Sequence, residues 1–211
     1  MISNFFLGII IFLFLNPEKD QESIIKWSKE YKIQWKDFHG NLQQNTPIAA
    51  VSFVGIGQET ITQSYDKNLL EVYAAFDANK SLVWMEKTND SILIHEQNHF
   101  NLAEIYARKM RKYLNENAKN YDRTLVYIEV TKLLDLYSDS LSESQRDYDR
   151  ETEYSRRWDK QKEWILTIRN ELKELDKYSS RYVTIYFKRN KLKVINFIIS
   201  FKSLVNNLLN S

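Results

Sequence analysis

The hydrophobic period of the sequence changes at Ser91. Upstream, "PIAAVSFVGIG", "NLLEVYAAFD" and "SLVWM" are apolar, β-branched stretches bounded by turn residues, which predicts three strands between residues 47 and 85. "YKIQWKDFHG" alternates and ends in a glycine turn, which predicts another strand over residues 31–40, after a short helix over residues 22–30. The "GIG" of residues 55–57 lacks the third glycine of a dinucleotide-binding loop and is predicted to end its strand. The front half of the chain is therefore predicted to form a sheet.

Downstream of Ser91 the pattern becomes helical. Further helical patterns cover residues 123–137 and 142–178, the second with apolar side chains at 3-4 spacing. The fold class predicted is α+β, a small N-terminal β-sheet followed by packed α-helices. At about 100° per residue, one stripe of the first helix carries eight residues: Ile92, His95, His99, Leu102, Ala103, Tyr106, Met110 and Tyr113.

Composition limits the chemistry that this chain can perform. Its 211 residues contain 30 Lys and Arg against 28 Asp and Glu, a formal net charge of +2 that is too balanced to indicate a nucleic-acid partner. There is no cysteine, which excludes disulfides, thiolate catalysis and cysteine-bound metal. Any metal ion must therefore be held by nitrogen and oxygen ligands from His, Asp, Glu or Tyr.

The stretch "IHEQNHF" contains His95, Glu96 and His99 in an HExxH arrangement. Residues four apart lie one helical turn apart on the same face, so both imidazoles can bind one zinc ion. Glu96 flanks that face, where a carboxylate can take a proton from zinc-activated water and pass it to a leaving amine. The alternative is two core histidines, each satisfied by one hydrogen bond. Because buried polar groups need partners, the spacing favours the metal site.

Several other polar and aromatic residues have simpler explanations. Glu104 precedes Arg108 by four residues, which predicts a surface ion pair rather than a ligand. His39 follows Phe38 in a turn, where a structural role is favoured over metal binding. The tryptophans are predicted to be core residues rather than substrate-groove aromatics: Trp27, Trp35, Trp84, Trp158 and Trp164.

The two ends of the chain differ in composition from the middle. Residues 5–15 form an apolar run of signal-peptide length, which predicts a signal peptide or N-terminal anchor over residues 1–18 and an exported protein, periplasmic, secreted or membrane-anchored. Residues 179–211 form a basic C-terminal extension without acids, consistent with an added hairpin or with an amphipathic surface segment. Membrane association is possible through either end.

Five blocks of the sequence resemble, in order, the DUF922 family of predicted secreted zinc-dependent proteases. They are "IQWKDFHG", "AAVSFVGIG", "VYAAFDANKSLVW", "ILIHEQNHFNLAEIYARKMRKYL" and "YDRETEYSRRWDKQKEWILTIRNEL". The resemblance extends over about residues 25–176, within a predicted zincin-like metallopeptidase domain of residues 22–178. It implies export and a metallopeptidase-like site in which His95 and His99 bind zinc and Glu96 is the general base.

The last of these blocks departs from the family pattern. The family has "YDxxTxHG", whose histidine is a candidate third ligand, but here Tyr154 and Ser155 occupy the last two positions. On a continuous helix through residues 142–178, Tyr154 and Glu151 face inward and are the preferred substitutes. If the helix is interrupted near Thr152, that phase argument fails and Asp149 becomes a candidate. Phenolate is a poorer zinc ligand than imidazole or carboxylate, so weakened affinity is expected.

The function predicted is therefore hydrolysis of peptide bonds in a peptide or protein substrate, with zinc as the cofactor. The alternative is a degenerate family member, catalytically weak or inactive, that acts as a metal-binding or cell-surface interaction protein.

Overall fold

The computed structural model describes residues 23–42, 46–119 and 121–188. Within this part of the chain, strands occupy most of the front half and three long helices follow, which confirms the predicted α+β class. The helices are α1 (Asp90–Glu116), α2 (Val126–Thr152) and α3 (Trp158–Glu174). The strands are β1 (Ile24–Lys26), β2 (Gly40–Asn41), β3 (Ala50–Val51), β4 (Val54–Gln63), β5 (Lys67–Asp77), β6 (Leu82–Val83) and β7 (Tyr182–Tyr186).

Strand β5 is the centre of the larger sheet. Antiparallel β4 pairs along one edge of β5, while β1 and β7 share the other edge, β1 beside Ala75–Asp77 and β7 beside Lys67–Glu71. With neighbours on both sides, β5 is buried along almost its whole length. Gly57 of β4 lies opposite Tyr73, whose ring occupies the space that a Cβ would need. A small second sheet has the order β2-β6-β3 and lies next to the first turns of α1.

Helix α1 packs across the large sheet and forms the middle of the core. Its first turn is capped by Asn89, whose side chain accepts a hydrogen bond from the Ile92 amide. Phe100 lies against Phe76 of β5 with ring centroids 5.9 Å apart. Helices α2 and α3 cover the opposite side of α1, and the Gln161 amide of α3 donates to the Ser91 carbonyl at 2.9 Å. The first turns of α1 are thus fixed by neighbours on two sides.

A buried ion network ties α1 to β5. Glu104 accepts from Arg108 and Arg111, and Arg111 also donates to the Val72 carbonyl of β5 at 2.9 Å. The pairing of Glu104 with Arg108 was predicted, but its surface location was wrong, because Arg111 and the sheet enclose it. Burial lowers the pKa of Arg111, and the charge of Glu104 opposes that shift.

Some local predictions were wrong at the front of the chain. Residues 24–26 form β1 rather than a helix, because their backbone pairs with β5. Residues 31–40 contain a 3-10 turn instead of a strand, since Asp37 accepts hydrogen bonds from the Tyr31 hydroxyl and the Gln34 amide. Strand β4 continues past residues 55–57 to Gln63.

The helical half also differs in its boundaries. Helix α2 joins the predicted helix of residues 123–137 to the first part of the predicted helix of residues 142–178 and ends at Thr152. The second predicted helix is therefore interrupted, and α3 starts only at Trp158. The tryptophans are peripheral to the core rather than fully buried within it: Trp27, Trp35, Trp84 and Trp164 are half-buried, and Trp158 is exposed.

The start of the predicted C-terminal extension belongs to the folded domain. Strand β7 lies inside the predicted C-terminal extension and belongs to the large sheet. The predicted leader, residues 1–18, and residues 189–211 lie outside the described residues. Among the described helices, none combines the length and apolar character needed to span a bilayer.

Candidate metal centre

His95 and His99 lie one turn apart near the N-terminal end of α1, and both side chains are buried. Their Nε2 atoms are 3.2 Å apart, and the two rings are nearly perpendicular, with centroids separated by 4.8 Å. The helical spacing therefore brings two imidazole nitrogens to one point, as the sequence predicted for a metal site.

The third member of the cluster is Asp149, in the last turn of α2. Its Oδ1 atom lies 3.0 Å from His95 Nε2 and 2.9 Å from His99 Nε2. Because α2 runs antiparallel to α1, its C-terminal end reaches the histidines near the start of α1. The three ligand-type side chains come from two helices, and in the described part of the chain they form the group of His, Asp and Glu residues suited to a metal ion.

The protonation of the cluster reflects its burial and its internal charges. Burial acts to lower the pKa of His99, but hydrogen bonding to Asp149 and the charges of Asp149 and Glu96 raise it above its ordinary value. Burial acts to raise the pKa of Asp149, but hydrogen bonds from both imidazoles hold it well below its usual range. Asp149 is therefore ionised at neutral pH, which is the form that binds a cation.

The spacing of the three donor atoms fits a small divalent ion. Zinc binds nitrogen and oxygen at about 2.0–2.1 Å, so neighbouring ligands in a tetrahedral site are roughly 3.3 Å apart. The three observed separations, 2.9, 3.0 and 3.2 Å, are slightly shorter than this value. The Asp149 side chain is 28% exposed, which leaves one side of the cluster open to solvent. Two imidazoles and one carboxylate with an open side form a donor set that could hold a divalent metal ion.

The aromatic side chain of Tyr148 packs against both imidazoles. The Tyr148 ring is fully buried and stacks on His95 at 4.5 Å with an interplanar angle of 18°. It also contacts His99 edge-on at 5.1 Å and packs against Trp164 of α3. The Asn98 amide donates to the Tyr148 hydroxyl at 3.3 Å. Tyr148 thus fixes both ring planes, a role that sequence reasoning missed although the tyrosine precedes Asp149 directly in the "YDRETEYS" block.

Glu96, the predicted general base, is buried beside the cluster. Its Oε2 atom accepts a hydrogen bond of 2.8 Å from the Ser52 backbone amide, just after β3. This contact orients the carboxylate, and Glu96 still has a second oxygen for proton transfer. The role of Ser52 was not predicted, since a backbone donor leaves no trace in the sequence.

The other two candidates for the third ligand lie elsewhere. Tyr154 is 51% exposed in the turn between α2 and α3, where Glu153, Tyr154 and Ser155 all have positive φ. Glu151 accepts a hydrogen bond from the Trp164 indole at 2.9 Å. The phase argument that favoured these two residues required an unbroken helix, and α2 ends before Tyr154. Of the three candidates, Asp149 is the one that contacts both imidazoles.

His39 is also accounted for. Its Nδ1 atom lies 2.9 Å from the Asn79 side-chain oxygen in an exposed turn. In the described residues it is not part of the metal-type cluster.

Comparison with known proteins adds one finding. Residues 58–156 match the DUF922 family. The family is described as bacterial protein of unknown function, so the match confirms the resemblance without assigning an activity. The DUF922 segment includes His95, Glu96, His99, Asp149 and Tyr154. No curated protein and no solved structure matches the chain.

Proposed function

We propose that this protein is a zinc metallopeptidase in which His95, His99 and Asp149 hold the metal ion. The observation that carries the proposal is the convergence of two Nε2 atoms and one carboxylate oxygen within 3.2 Å of each other. Three protein ligands with one open side are the usual arrangement for hydrolytic zinc. The buried location beside Glu96 distinguishes this cluster from an exposed acidic patch.

Each side chain has a defined task in the proposed reaction. A zinc ion held there would supply Lewis-acid polarisation of a peptide carbonyl and a water of lowered pKa. Asp149 contributes the negative charge of the ligand set, and Tyr148 keeps the imidazoles in position. Glu96, held by the Ser52 amide, accepts the proton from the attacking water and delivers it to the leaving amine.

The substrate and location belong to the same proposal. We infer a peptide or protein substrate, because an HExxH helix with two zinc-binding histidines and a glutamate general base is the motif of metallopeptidases. Export is supported by the apolar run of residues 5–15 in the sequence.

One observation favours a second candidate, a metal-binding protein without catalysis. The Ser52 amide already engages one oxygen of Glu96, which leaves only the other oxygen to accept a proton from water. In that case the family departure at Tyr154 and Ser155 would accompany a loss of activity.

The two candidates are separated by measuring zinc and cleavage in the same preparations. Full-length protein, Glu96→Gln and the control Asp90→Asn are purified, their zinc content is determined by elemental analysis, and cleavage of a peptide library is followed by mass spectrometry. The peptidase proposal expects full zinc content in all three and a loss of about 10²–10⁴-fold in cleavage by Glu96→Gln alone. Zinc without cleavage in the parent protein supports the second candidate, and a parent without zinc contradicts both.

A further inference from the structure

The segment that holds the Glu96 carboxylate is a two-residue link between the two sheets. Strand β3 of the small sheet ends at Val51 and strand β4 of the large sheet begins at Val54, so Ser52 and Phe53 join them. The Ser52 amide donates to Glu96 Oε2 at 2.8 Å. The direction in which this amide points therefore depends on how the two ends of the link are fixed.

Each end of the link is fixed by a different sheet. At the first end, Val51 pairs with Leu82 of β6 in the small sheet. At the second end, the Asp77 amide of β5 donates to the Phe53 carbonyl at 2.9 Å, which continues the β4–β5 ladder by one pair. Such a pair in an antiparallel ladder normally exchanges two bonds, so the Phe53 amide is expected to donate to the Asp77 carbonyl in return.

The Ser81 hydroxyl lies between these two groups. It accepts a hydrogen bond of 2.9 Å from the Phe53 amide and donates one of 2.7 Å to the Asp77 carbonyl. Ser81 is fully buried and its backbone is fixed too, since its amide donates to the Asp77 carbonyl and its carbonyl accepts from the Gly40 amide of β2. Ser81 therefore ties the end of the β4–β5 ladder to the small sheet and fixes the Phe53 amide.

The contact between Ser52 and Glu96 depends on the backbone of the link. The Ser52 hydroxyl is buried and has no hydrogen-bond partner among the described residues, so Ser52 holds Glu96 through its amide. Groups that take part in catalysis must be held within about 0.5 Å of their productive positions, and a misplacement of about 1 Å can lower the rate 100-fold. A residue that fixes the backbone of the link therefore affects the placement of the Glu96 carboxylate.

We propose that Ser81 is a positioning residue for the general base Glu96. Its hydroxyl, placed between Phe53 and Asp77, sets the direction of the Ser52 amide, and this amide holds the Glu96 carboxylate beside the metal centre. Ser81 acts through the backbone of residues 52–53 rather than by contact with the metal ligands. This inference rests on the proposed peptidase function, because Glu96 acts as a base in that reaction.

Removing the hydroxyl in Ser81→Ala tests the proposal. The Phe53 amide then either loses its acceptor or closes directly onto the Asp77 carbonyl, and both changes shift Ser52. In the full-length, zinc-loaded protein we expect kcat for peptide cleavage to fall about tenfold with KM and zinc content unchanged, because the placement of the base changes while substrate binding does not. Ser81→Cys has a weaker hydrogen-bonding group of similar size and should lie between Ser81→Ala and the parent.

Tyr73→Phe is the matched control. Tyr73 is a buried residue of β5 whose hydroxyl donates to Glu59 at 2.6 Å, so this change also removes one hydroxyl hydrogen bond but leaves the link intact. Its kcat should equal that of the parent, and thermal unfolding by circular dichroism verifies that all four proteins are folded. An unchanged kcat in Ser81→Ala, or an equal loss in Tyr73→Phe, overturns the proposal.

Hydrogen exchange of the Ser52 amide, followed by NMR, separates this inference from the peptidase proposal. The amide should exchange about tenfold faster in Ser81→Ala and at the parent rate in Tyr73→Phe, while the amides of α3 keep their rates in both, because exchange reports local opening. Zinc binding without cleavage by the parent contradicts the peptidase function and with it the catalytic consequence of Ser81. Equal Ser52 exchange in Ser81→Ala and the parent contradicts the positioning role whatever the activity.

Discussion

Replacing Asp149 with Asn should lower the zinc affinity of this protein by more than about 100-fold. The carboxylate is the negatively charged member of the three-atom cluster, and its Oδ1 lies 2.9–3.0 Å from both imidazole nitrogens. Asparagine has nearly the same shape, so the change removes the charge and the anionic ligand while the packing between α1 and α2 is kept.

The magnitude follows from the position of Asp149 in the cluster. Loss of a residue that only supports a ligand costs about 10–100-fold in metal affinity. The Asp149 Oδ1 atom itself lies beside both imidazole nitrogens, so replacing it should reduce the zinc affinity by more than about 100-fold. This loss corresponds to more than about 2.7 kcal/mol of binding free energy. Two neutral imidazoles alone leave the charge of a divalent ion without compensation.

Competition with a chromophoric zinc chelator at neutral pH measures the affinity. Asp147→Asn is the matched control. Asp147 lies two residues before Asp149 on α2 and forms an ion pair with Arg150 at the surface, so this change removes the same charge away from the cluster. Tyr154→Phe should leave the affinity unchanged, since the Tyr154 side chain lies half exposed in the turn after α2. Equal affinities for the Asp149→Asn and Asp147→Asn proteins would refute the assignment of Asp149 as a ligand, and a large loss in Tyr154→Phe would return that role to the tyrosine.

Three further predictions concern the surroundings of the site. Glu104→Gln should lower the free energy of unfolding by about 3–5 kcal/mol, because two buried guanidiniums lose their counter-ion. Glu171→Gln, which breaks an exposed ion pair with Lys109, should cost less than about 1 kcal/mol, and urea titrations measure both changes. Tyr148→Leu should weaken zinc binding about 10–100-fold, because it removes the ring that stacks on His95. Tyr148→Phe keeps this ring and should leave zinc binding unchanged. Equal losses in the two variants would show that the hydroxyl rather than the stacked ring matters. Ser155→Gly should raise the free energy of unfolding by about 0.5 kcal/mol, because Ser155 has a φ of +70°, which glycine adopts without strain. Ser144→Gly inside α2 should lower the free energy of unfolding. A shift of the melting temperature with the same sign in both variants would contradict this reasoning.

Helix α1 carries two buried polar groups on different faces. His95 and His99 lie toward its N-terminal end, and Glu104 and Arg111 lie toward its C-terminal end. At about 100° per residue, Glu104 is roughly 140° around the helix from His99. Buried polar groups at both ends need fixed partners, which α2 supplies through Asp149 and β5 supplies through the Val72 carbonyl. The helix is therefore held in one rotation about its axis, and this rotation keeps both imidazoles directed at Asp149.

Part of the fold followed from local patterns because the relevant interactions are local. The change of hydrophobic period near Ser91 marks the start of α1 to within one residue, and strand β5 lies within one residue of its predicted limits. Residues 24–26 and 31–40 were misassigned because their conformations depend on partners far away or on one side chain. Strand β1 forms because it pairs with β5. In residues 31–40, the Asp37 side chain stabilises a turn in place of the predicted strand.

By itself, the sequence determined that His95, Glu96 and His99 share one helical turn, since residues four apart in an α-helix must lie on one face. Only the tertiary structure decided which residue completes the group, because the approach of Asp149 depends on the antiparallel packing of α2 against α1 and on the end of α2 at Thr152. The same holds for the Ser52 amide at Glu96 and the Tyr148 ring under His95, which are contacts between segments about 50 residues apart in the chain. Helical spacing sets neighbours along one element, whereas neighbours between elements depend on how the whole core packs.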